Sequence, residues 1–573
     1  MGLGVKMDVY EELLSLNEKD ALMKWVQLCS DCRQTQENVL MGILNNAKNT
    51  EYGKKFDFAN IKSIEDFQEK VPFNEYEDLE GYIERMADGE EDLLFNGLTE
   101  FFISTSGTTG KSKKIPESHE SSEAKKAVLK LRNAFLGKTL LENLKNSRKF
   151  MNLVQSKGID LNKLNPNDLI HQVHYYSVTS AIPNKKTKGG IGIGFASGKT
   201  FETSDFADSL SYPKELMALD DGEATMYLTM MFALRYDDVV LITSNNASRF
   251  YARVKYAQEH AEEIIDDLRN GTISSRLNIS SQDRELLESY MEPHEERAKE
   301  LENLLEKGRN YFIPKYYWPY HLVARFWLSG SVGVNVDKIR PYFDEDVLYF
   351  DIGYGASEGK LNIPMSNEST FGTLATSSIF YEFIPVGSDE VLTADELEDG
   401  GEYEIILTNY GGLYRYPLHD IVKVKGFFGN TPNIEFLSKS REILNIAQEK
   451  VPASQVLECL NEFLTERGYH LRQAQIYPND GQAHYDIFIE IENHTVEDDL
   501  DDLSRDFDSL LCSKAELYDR NRKFESLNSL KLYLMKKGWQ SHLYDLREAT
   551  GAPRSQIKLD AMIKEKPEDE WIV

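Results

Sequence analysis

Phe102-Ile-Ser-Thr-Ser-Gly-Thr-Thr-Gly-Lys-Ser-Lys-Lys114 is the stretch on which the reading of this chain turns. Thr105, Ser106, Thr108 and Thr109 crowd around Gly107 and Gly110, and Lys111, Lys113 and Lys114 follow. Glycines let consecutive backbone N–H groups converge on one point, hydroxyls add donors, and lysines add charge. That combination suits a polyphosphate such as ATP. A Walker A loop, G-x-x-x-x-G-K-[ST], is the nearest rival. Gly110-Lys111-Ser112 matches its end, but Thr105 stands where its first glycine is needed. Phe101 to Ile103 would serve as the preceding strand, whereas Pro116 argues against the helix that must follow at once. A solvated polar turn is the bland alternative.

The chain has 573 residues, 41% of them hydrophobic and 11% aromatic, which suits two to four domains with large buried cores. Its 95 acidic and 65 basic residues give a formal charge of −30. That excludes a general binder of nucleic acid or of anionic membrane, and suits a soluble cytoplasmic enzyme. A phosphate site must then be a local basic island. Cys29, Cys32, Cys459 and Cys512 are too few for a disulfide scaffold, and Cys29-Ser-Asp-Cys32 lacks a second pair for zinc. Neither a signal peptide nor a transmembrane run is expected. His171 and His174 lack further ligand types nearby, so no metal is expected there.

Apolar spacing predicts helices over 8–50, short helices over 61–87 broken at Pro72, and a helix over 121–144. Helices at 226–238 and 252–269 flank a strand at 239–243, and 282–308 reads as one long charged helix. The Met-rich run Met226 to Phe232 reads as core rather than as a ligand pocket. Strands alternate with turns from 323 to 425. The last ~130 residues, the size of a small domain, alternate helix and strand in an α+β pattern. The expectation is therefore an α/β fold with a large domain over 1–440 and a small α+β domain over 441–573, joined by a short hinge.

Two further segments carry chemistry. Asp351-Ile-Gly-Tyr-Gly-Ala-Ser-Glu-Gly359 runs from a strand into a Gly-rich turn displaying Tyr354, Ser357 and Glu358. An aromatic ring there can stack on a base, and a carboxylate beside a phosphate loop can hold Mg²⁺. Gly411-Gly-Leu-Tyr-Arg-Tyr-Pro-Leu-His-Asp420 precedes a strand, and an Asp at a strand end can accept from two ribose hydroxyls. Taken alone, each reads equally well as an ordinary turn.

Taken together, in this order, the three segments resemble the adenylate-forming superfamily of acyl-CoA synthetases, luciferases and peptide-synthetase adenylation domains. Thr105-Ser-Gly-Thr-Thr-Gly-x-x-Lys113 matches its phosphate loop, and Tyr354-Gly-x-Ser-Glu358 matches its Tyr-Gly-x-Thr-Glu motif with Ser for Thr. Val71-Pro-Phe-Asn-Glu-Tyr76, Tyr317-Trp-Pro319, Tyr381-Glu-Phe-Ile-Pro385, Gly412-Leu-Tyr-Arg-Tyr416 with Asp420, and Ser555-Gln-Ile-Lys558 narrow the resemblance. They are similar to the plant auxin- and jasmonate-conjugating acyl-acid amido synthetases and their bacterial relatives, over about Ile61 to Lys558. Pro417 and His419 depart from that family's Tyr-Arg-x-Gly-Asp core.

The resemblance implies a large adenylation domain, in which sheets and a β-barrel pack with helices, and a small mobile C-terminal domain. It implies an ATP-dependent, AMP-forming ligase that makes an acyl-adenylate and transfers the acyl group to an amino acid or other amine. An acyl-CoA ligase or a catalytically silent nucleotide-binding homologue are the alternatives. By the same resemblance Thr105, Ser106, Gly107, Thr108, Thr109 and Lys113 hold the phosphates, Tyr354 packs on adenine, and Ser357 contacts the AMP phosphate. Glu358 holds Mg²⁺, Asp420 binds ribose, and Arg441 contacts ribose or phosphate. Lys558 brings charge to the α-phosphate or is a plain surface lysine. Implied partners are a small carboxylic acid and an amine, with no nucleic acid and no membrane; monomer and homodimer are both open.

Overall fold

The computed structural model describes residues 7–104, 113–144, 147–158, 160, 173–179, 185–202, 209–219, 221–245, 247–328, 336, 339–439, 442–444, 446–447, 449, 451–492, 499–523, 526–549, 557 and 559–573. The phosphate-loop residues Thr105 to Thr109, His171, Arg441 and Lys558 lie outside this set.

Among the described residues, three sheets frame the first 439 positions. A four-stranded parallel sheet runs in the order His174–Val178, Val239–Ser244, Val323–Phe326, Leu348–Asp351. Its strands carry Tyr176, Val239, Ile242, Ala324 and Phe326 into a core closed by the helix Gly222–Leu234, whose Met230 and Met231 are fully buried. The Met-rich run is thus core packing, as its spacing suggests. In such sheets ligands gather outside the carboxyl ends of the strands. Asp351 ends the last of them and leads straight into the Gly-Tyr-Gly segment.

A second sheet has seven strands, with Phe380–Pro385, Glu402–Thr408, Tyr416–Phe428 and Thr431–Lys439 adjacent and antiparallel. Beyond Thr431–Lys439 come the short strands Gly372–Leu374 and, at the edge, Asn362–Ile363, which bring the sheet back beside the Gly-rich segment. A third sheet pairs Phe101–Ser104 with Lys114–Glu117 antiparallel and with Gly192–Gly194 parallel. The polar loop therefore joins two paired strands, and no helix starts at Lys113, as Pro116 requires.

The helix His119–Leu144 follows the second of those strands. Ala124, Ala127, Val128 and Leu131 recur at i, i+3, i+4, i+7 and are buried, so one face of the helix seats on the core. The predicted single helix over 282–308 is two, Ser281–Glu288 and Glu295–Glu306. Pro293 cannot supply the N–H that continuity needs. The span 252–269 likewise falls on two helices, Ala247–Glu259 and Ala261–Asn270.

Beyond residue 443, Leu471–Asn479, His484–Ile491 and Lys531–Leu534 form a mixed three-stranded sheet. It packs with the helices Ala453–Glu466 and Leu500–Lys514 around a core from Leu444 to Leu534. That is the expected α+β pattern. Cys29 and Cys32 are buried free thiols, pushed up to about 12 by burial, and are inert packing residues at neutral pH. No described helix is long and apolar enough to cross a membrane.

Candidate active site

Residues 355–360 close a tight hairpin: Gly355 bridges Lys360, and the Ala356 N–H donates to the Gly359 carbonyl at 2.9 Å. Ser357 and Glu358 sit in its loop and are half-buried. The hairpin is held from both sides. Asn409, at the end of Glu402–Thr408, donates Nδ2 to the Glu358 carbonyl at 2.9 Å, while its Oδ1 accepts from the N–H groups of Gly411 and Leu413. One side chain thus ties the Ser-Glu turn to the Gly-Gly-Leu-Tyr-Arg segment.

The second tie is Tyr354. Its ring is 2% exposed and packs near Phe436, and its hydroxyl donates to Asp420 Oδ2 at 2.5 Å. Burial, then Asp420, pushes the phenol far above its ordinary range, so it remains a donor. Asp420 does not stand at a strand end as expected. It lies inside Tyr416–Phe428, within an irregularity where Ile421 faces Glu404 but Pro417 faces Ile406. His419 occupies the kink with φ +54°, a left-handed conformation that suits the glycine of the related motif. Its imidazole spans Glu404 and Glu75, both at 2.9 Å, which ties the kink to the start of the helix Tyr76–Ala87.

From below, Arg132 of the long helix supports the same turn. It is 5% exposed; Nε and Nη2 donate to the Asn362 carbonyl, Nη1 to Ile352 at 3.0 Å and Nη2 to Tyr354 at 2.9 Å. Asn362 in turn accepts the Tyr354 N–H at 2.8 Å. Gly353 has φ +86°, and a β-carbon there would lie 2.5 Å from the Arg132 Cζ. Only glycine leaves the guanidinium its place. Burial pulls Arg132 down to about 10, opposed by Asp351, so it stays cationic at neutral pH. Burial raises Asp351 to about 6, opposed by N–H donors from Leu328 and Gly353. Burial, then Arg132 and Lys125, pulls the half-buried Lys360 ammonium down to about 7.

Lys113 places its ammonium 5.0 Å from the ring centre of Tyr76, whose hydroxyl accepts the Lys114 N–H at 3.0 Å. Arg415 of the third segment is not a site residue. Nε and Nη2 bond the buried Glu382 carboxylate at 3.0 and 2.9 Å, and Nη1 donates to the carbonyls of Gln68 and Val71. His174 pairs with Asp238 and stacks on Tyr236, a structural arrangement.

Among the described residues no group of three or more His, Cys, Asp and Glu would hold a metal by itself. Mg²⁺ needs no such cage, since it keeps waters and uses one or two carboxylates plus phosphate oxygens. A single half-buried Glu358 beside the expected phosphates fits that donor set.

Family models identify the chain with this geometry. Residues 21–163 and 162–348 match the GH3 family N-terminal domain, 372–439 the GH3 family central domain, and 454–567 the GH3 family C-terminal domain. The chain belongs to the GH3 family. Among its GH3 relatives, the jasmonoyl–L-amino acid synthetase JAR4 of Nicotiana attenuata is 25% identical over 96% of this chain and 94% of its own. The solved GH3.15 acyl acid amido synthetase superposes with a TM-score of 0.78 at 20% identity, covering 98% of this chain and 95% of its own. More distantly, 2-hydroxyisobutyryl-CoA ligase in its postadenylation state shares the fold at a TM-score of 0.51 and 12% identity, over 93% of this chain and 90% of its own. The chain thus shares the fold of the GH3.15 synthetase over 98% of its length.

Arg132, Asn362 and Asn409 are the site residues that the sequence alone did not disclose. Arg132 reaches the Ile352 carbonyl across 220 positions and Asn409 the Glu358 carbonyl across 51, and no local spacing encodes that.

Proposed function

We propose that this GH3 chain is an ATP-dependent acyl-acid amido synthetase. The carboxylate of an acid attacks the α-phosphorus of ATP; the bond to the bridging oxygen breaks, and pyrophosphate leaves with its electron pair. An amine then attacks the acyl carbon and loses a proton, and AMP departs. The first step is difficult because two anions must meet, so the protein's task is to neutralise and align charge.

The observation that carries this reading is the Tyr354–Asp420 hydrogen bond, with Asn409 linking the Glu358 turn to the same strand system. It joins two segments 66 residues apart into one corner, which in this reading binds the nucleoside. In this reading Asp420 accepts from ribose, Ser357 donates to the α-phosphate, and Glu358 is the Mg²⁺ ligand. When bound, Mg²⁺ would neutralise phosphate charge. Thr105, Ser106, Gly107, Thr108, Thr109 and Lys113 cradle the phosphates. Arg441 and Lys558 act from a C-terminal unit taken as 441–573. Four free cysteines suit a reducing, cytoplasmic compartment. The names of the matched relatives support an amino acid as the acceptor.

The test is pyrophosphate release from Mg-ATP over a panel of carboxylic acids, with nucleotides resolved. AMP and pyrophosphate in equal amounts are expected with one acid class, and Glu358→Ala is expected to lose at least about a hundredfold in rate. ADP as product, or a wild-type rate in Glu358→Ala, refutes the assignment.

A further inference from the structure

Lys360 stands directly across the hairpin from Gly355, two residues after Glu358. Its ammonium lies over the turn: a β-carbon on Gly355 would come within 3.3 Å of Lys360 Cδ and 3.8 Å of Nζ. The side chain is half-buried, and among the described residues it makes no hydrogen bond or ion pair. The cations beside it are already engaged. Lys125 is paired with Glu117 at 2.8 Å, and Arg132 is used by three carbonyls. Lys360, Lys125 and Glu358 line one cleft with the polar residues Ser121, Ser378 and Asn409. The cleft has a volume of about 10 Å³, room for about one water.

The carboxylate that acts on the Lys360 ammonium, Glu117, is bonded to Lys125, so one counter-charge is shared between two partly withdrawn cations, and the cost of drawing them from water is only partly offset. Neither Glu117 nor Glu358, which lines the same cleft, forms an ion pair with Lys360 among the described residues. A ligand anion would supply that partner.

We propose that Lys360, with Lys125 beside it, forms an anion subsite next to the reaction centre, which receives a substrate carboxylate other than the one being adenylated. The assignment rests on the adenylation reading above and narrows its substrate class. The favoured source is the acid donor, which then is a dicarboxylic acid. The other source of the same chemistry is the α-carboxylate of the amino acid acceptor. A wholly apolar monocarboxylic acid joined to a neutral amine would leave the ammonium as costly as before.

The experiment compares wild type with Lys360→Met, which keeps the length of the side chain and removes its charge. Pyrophosphate release is measured for straight-chain dicarboxylic acids from oxalate to suberate, each against its monomethyl ester. A charge-assisted hydrogen bond predicts a preference of about tenfold or more in kcat/KM for the best diacid over its ester, and Lys360→Met collapses that ratio. Should diacids show no preference, amide formation with glycine against glycinamide reads the second source. A tenfold preference for glycine that the variant loses assigns the subsite to the acceptor. Absence of both preferences, or their persistence in Lys360→Met, overturns the proposal.

If wild type releases no pyrophosphate with any acid, the adenylation reading fails separately, and chemical labelling decides the subsite. Lys360 is acetylated with acetic anhydride and quantified by peptide mass spectrometry, with each diacid or its ester present. Protection by a diacid and not by its ester supports an anion subsite. Equal labelling throughout means that Lys360 meets only water, and overturns it.

Discussion

Replacing Arg132 by methionine tests whether the nucleotide corner is held from beneath. The guanidinium satisfies three buried carbonyls, those of Ile352, Tyr354 and Asn362. Methionine fills most of the volume and donates nothing. A buried acceptor stripped of its partner costs about 1–3 kcal/mol, so three give roughly 3–9 kcal/mol before relaxation. Single substitutions rarely exceed about 5 kcal/mol, because water and neighbours move in. The expected loss is therefore about 3–5 kcal/mol. It should be local, since the three carbonyls bracket one turn. That turn carries Tyr354 and, through the hairpin, Glu358; a displacement of about 1 Å there costs on the order of a hundredfold in rate. Urea denaturation reads the first effect and pyrophosphate release the second. Arg132→Lys keeps the charge but cannot span three carbonyls, and should fall between wild type and Arg132→Met in both assays. Arg132→Met with the wild-type midpoint and the wild-type rate refutes the reasoning. A large loss of stability with full activity would show that the guanidinium holds the fold but not the site.

Three further outcomes follow from the geometry. Asp420→Ala should raise the KM for ATP about tenfold or more with a smaller change in kcat, since it removes the proposed ribose acceptor and the partner of Tyr354; an unchanged KM removes Asp420 from the proposed nucleotide site. Glu382→Leu should cost about 3–5 kcal/mol in denaturant unfolding, because it strands Arg415 at 7% side-chain exposure; a loss under about 1 kcal/mol would mean the pair is solvated. Burial lowers His321 to about 3 from 6.5, opposed by its bond to the Val239 carbonyl, so the unfolded chain takes up a proton that the folded chain refuses between those values. Its contribution is complete above pH 6.5 and is lost as pH falls, by about 2 kcal/mol between pH 6.5 and 5. His321→Gln should flatten that part of the stability profile, and an unaltered slope would refute it.

The parts of this fold that the sequence disclosed are those encoded locally. The apolar spacing of Ala124, Ala127, Val128 and Leu131 marks a helix, Pro116 forbids one at Lys113, and the glycines around Tyr354 mark a turn at a strand end. The site was legible as three segments because each concentrates uncommon residue types at fixed spacing. What stayed hidden is how they meet. Tyr354 and Asp420 bond across 66 positions, and Arg132 reaches Asn362 across 230. Neither helical nor strand periodicity carries such distances. Arg415 shows the converse error that motif reading invites, since it sits amid a functional segment yet serves a buried ion pair with Glu382. His419 was visible only as a departure from a family pattern; its positive φ shows why glycine suits that position, and two carboxylates bond the histidine that stands there.

The central claim is that an acid's own oxygen becomes bonded to the α-phosphorus. Acid labelled with ¹⁸O in its carboxylate, converted with ATP and an amine, tests this most directly by mass spectrometry of the released nucleotide. Acyl-adenylate formation followed by aminolysis at the acyl carbon predicts AMP bearing one ¹⁸O atom. Label in inorganic phosphate with ADP as the nucleotide, or AMP free of label while amide accumulates, would contradict the account.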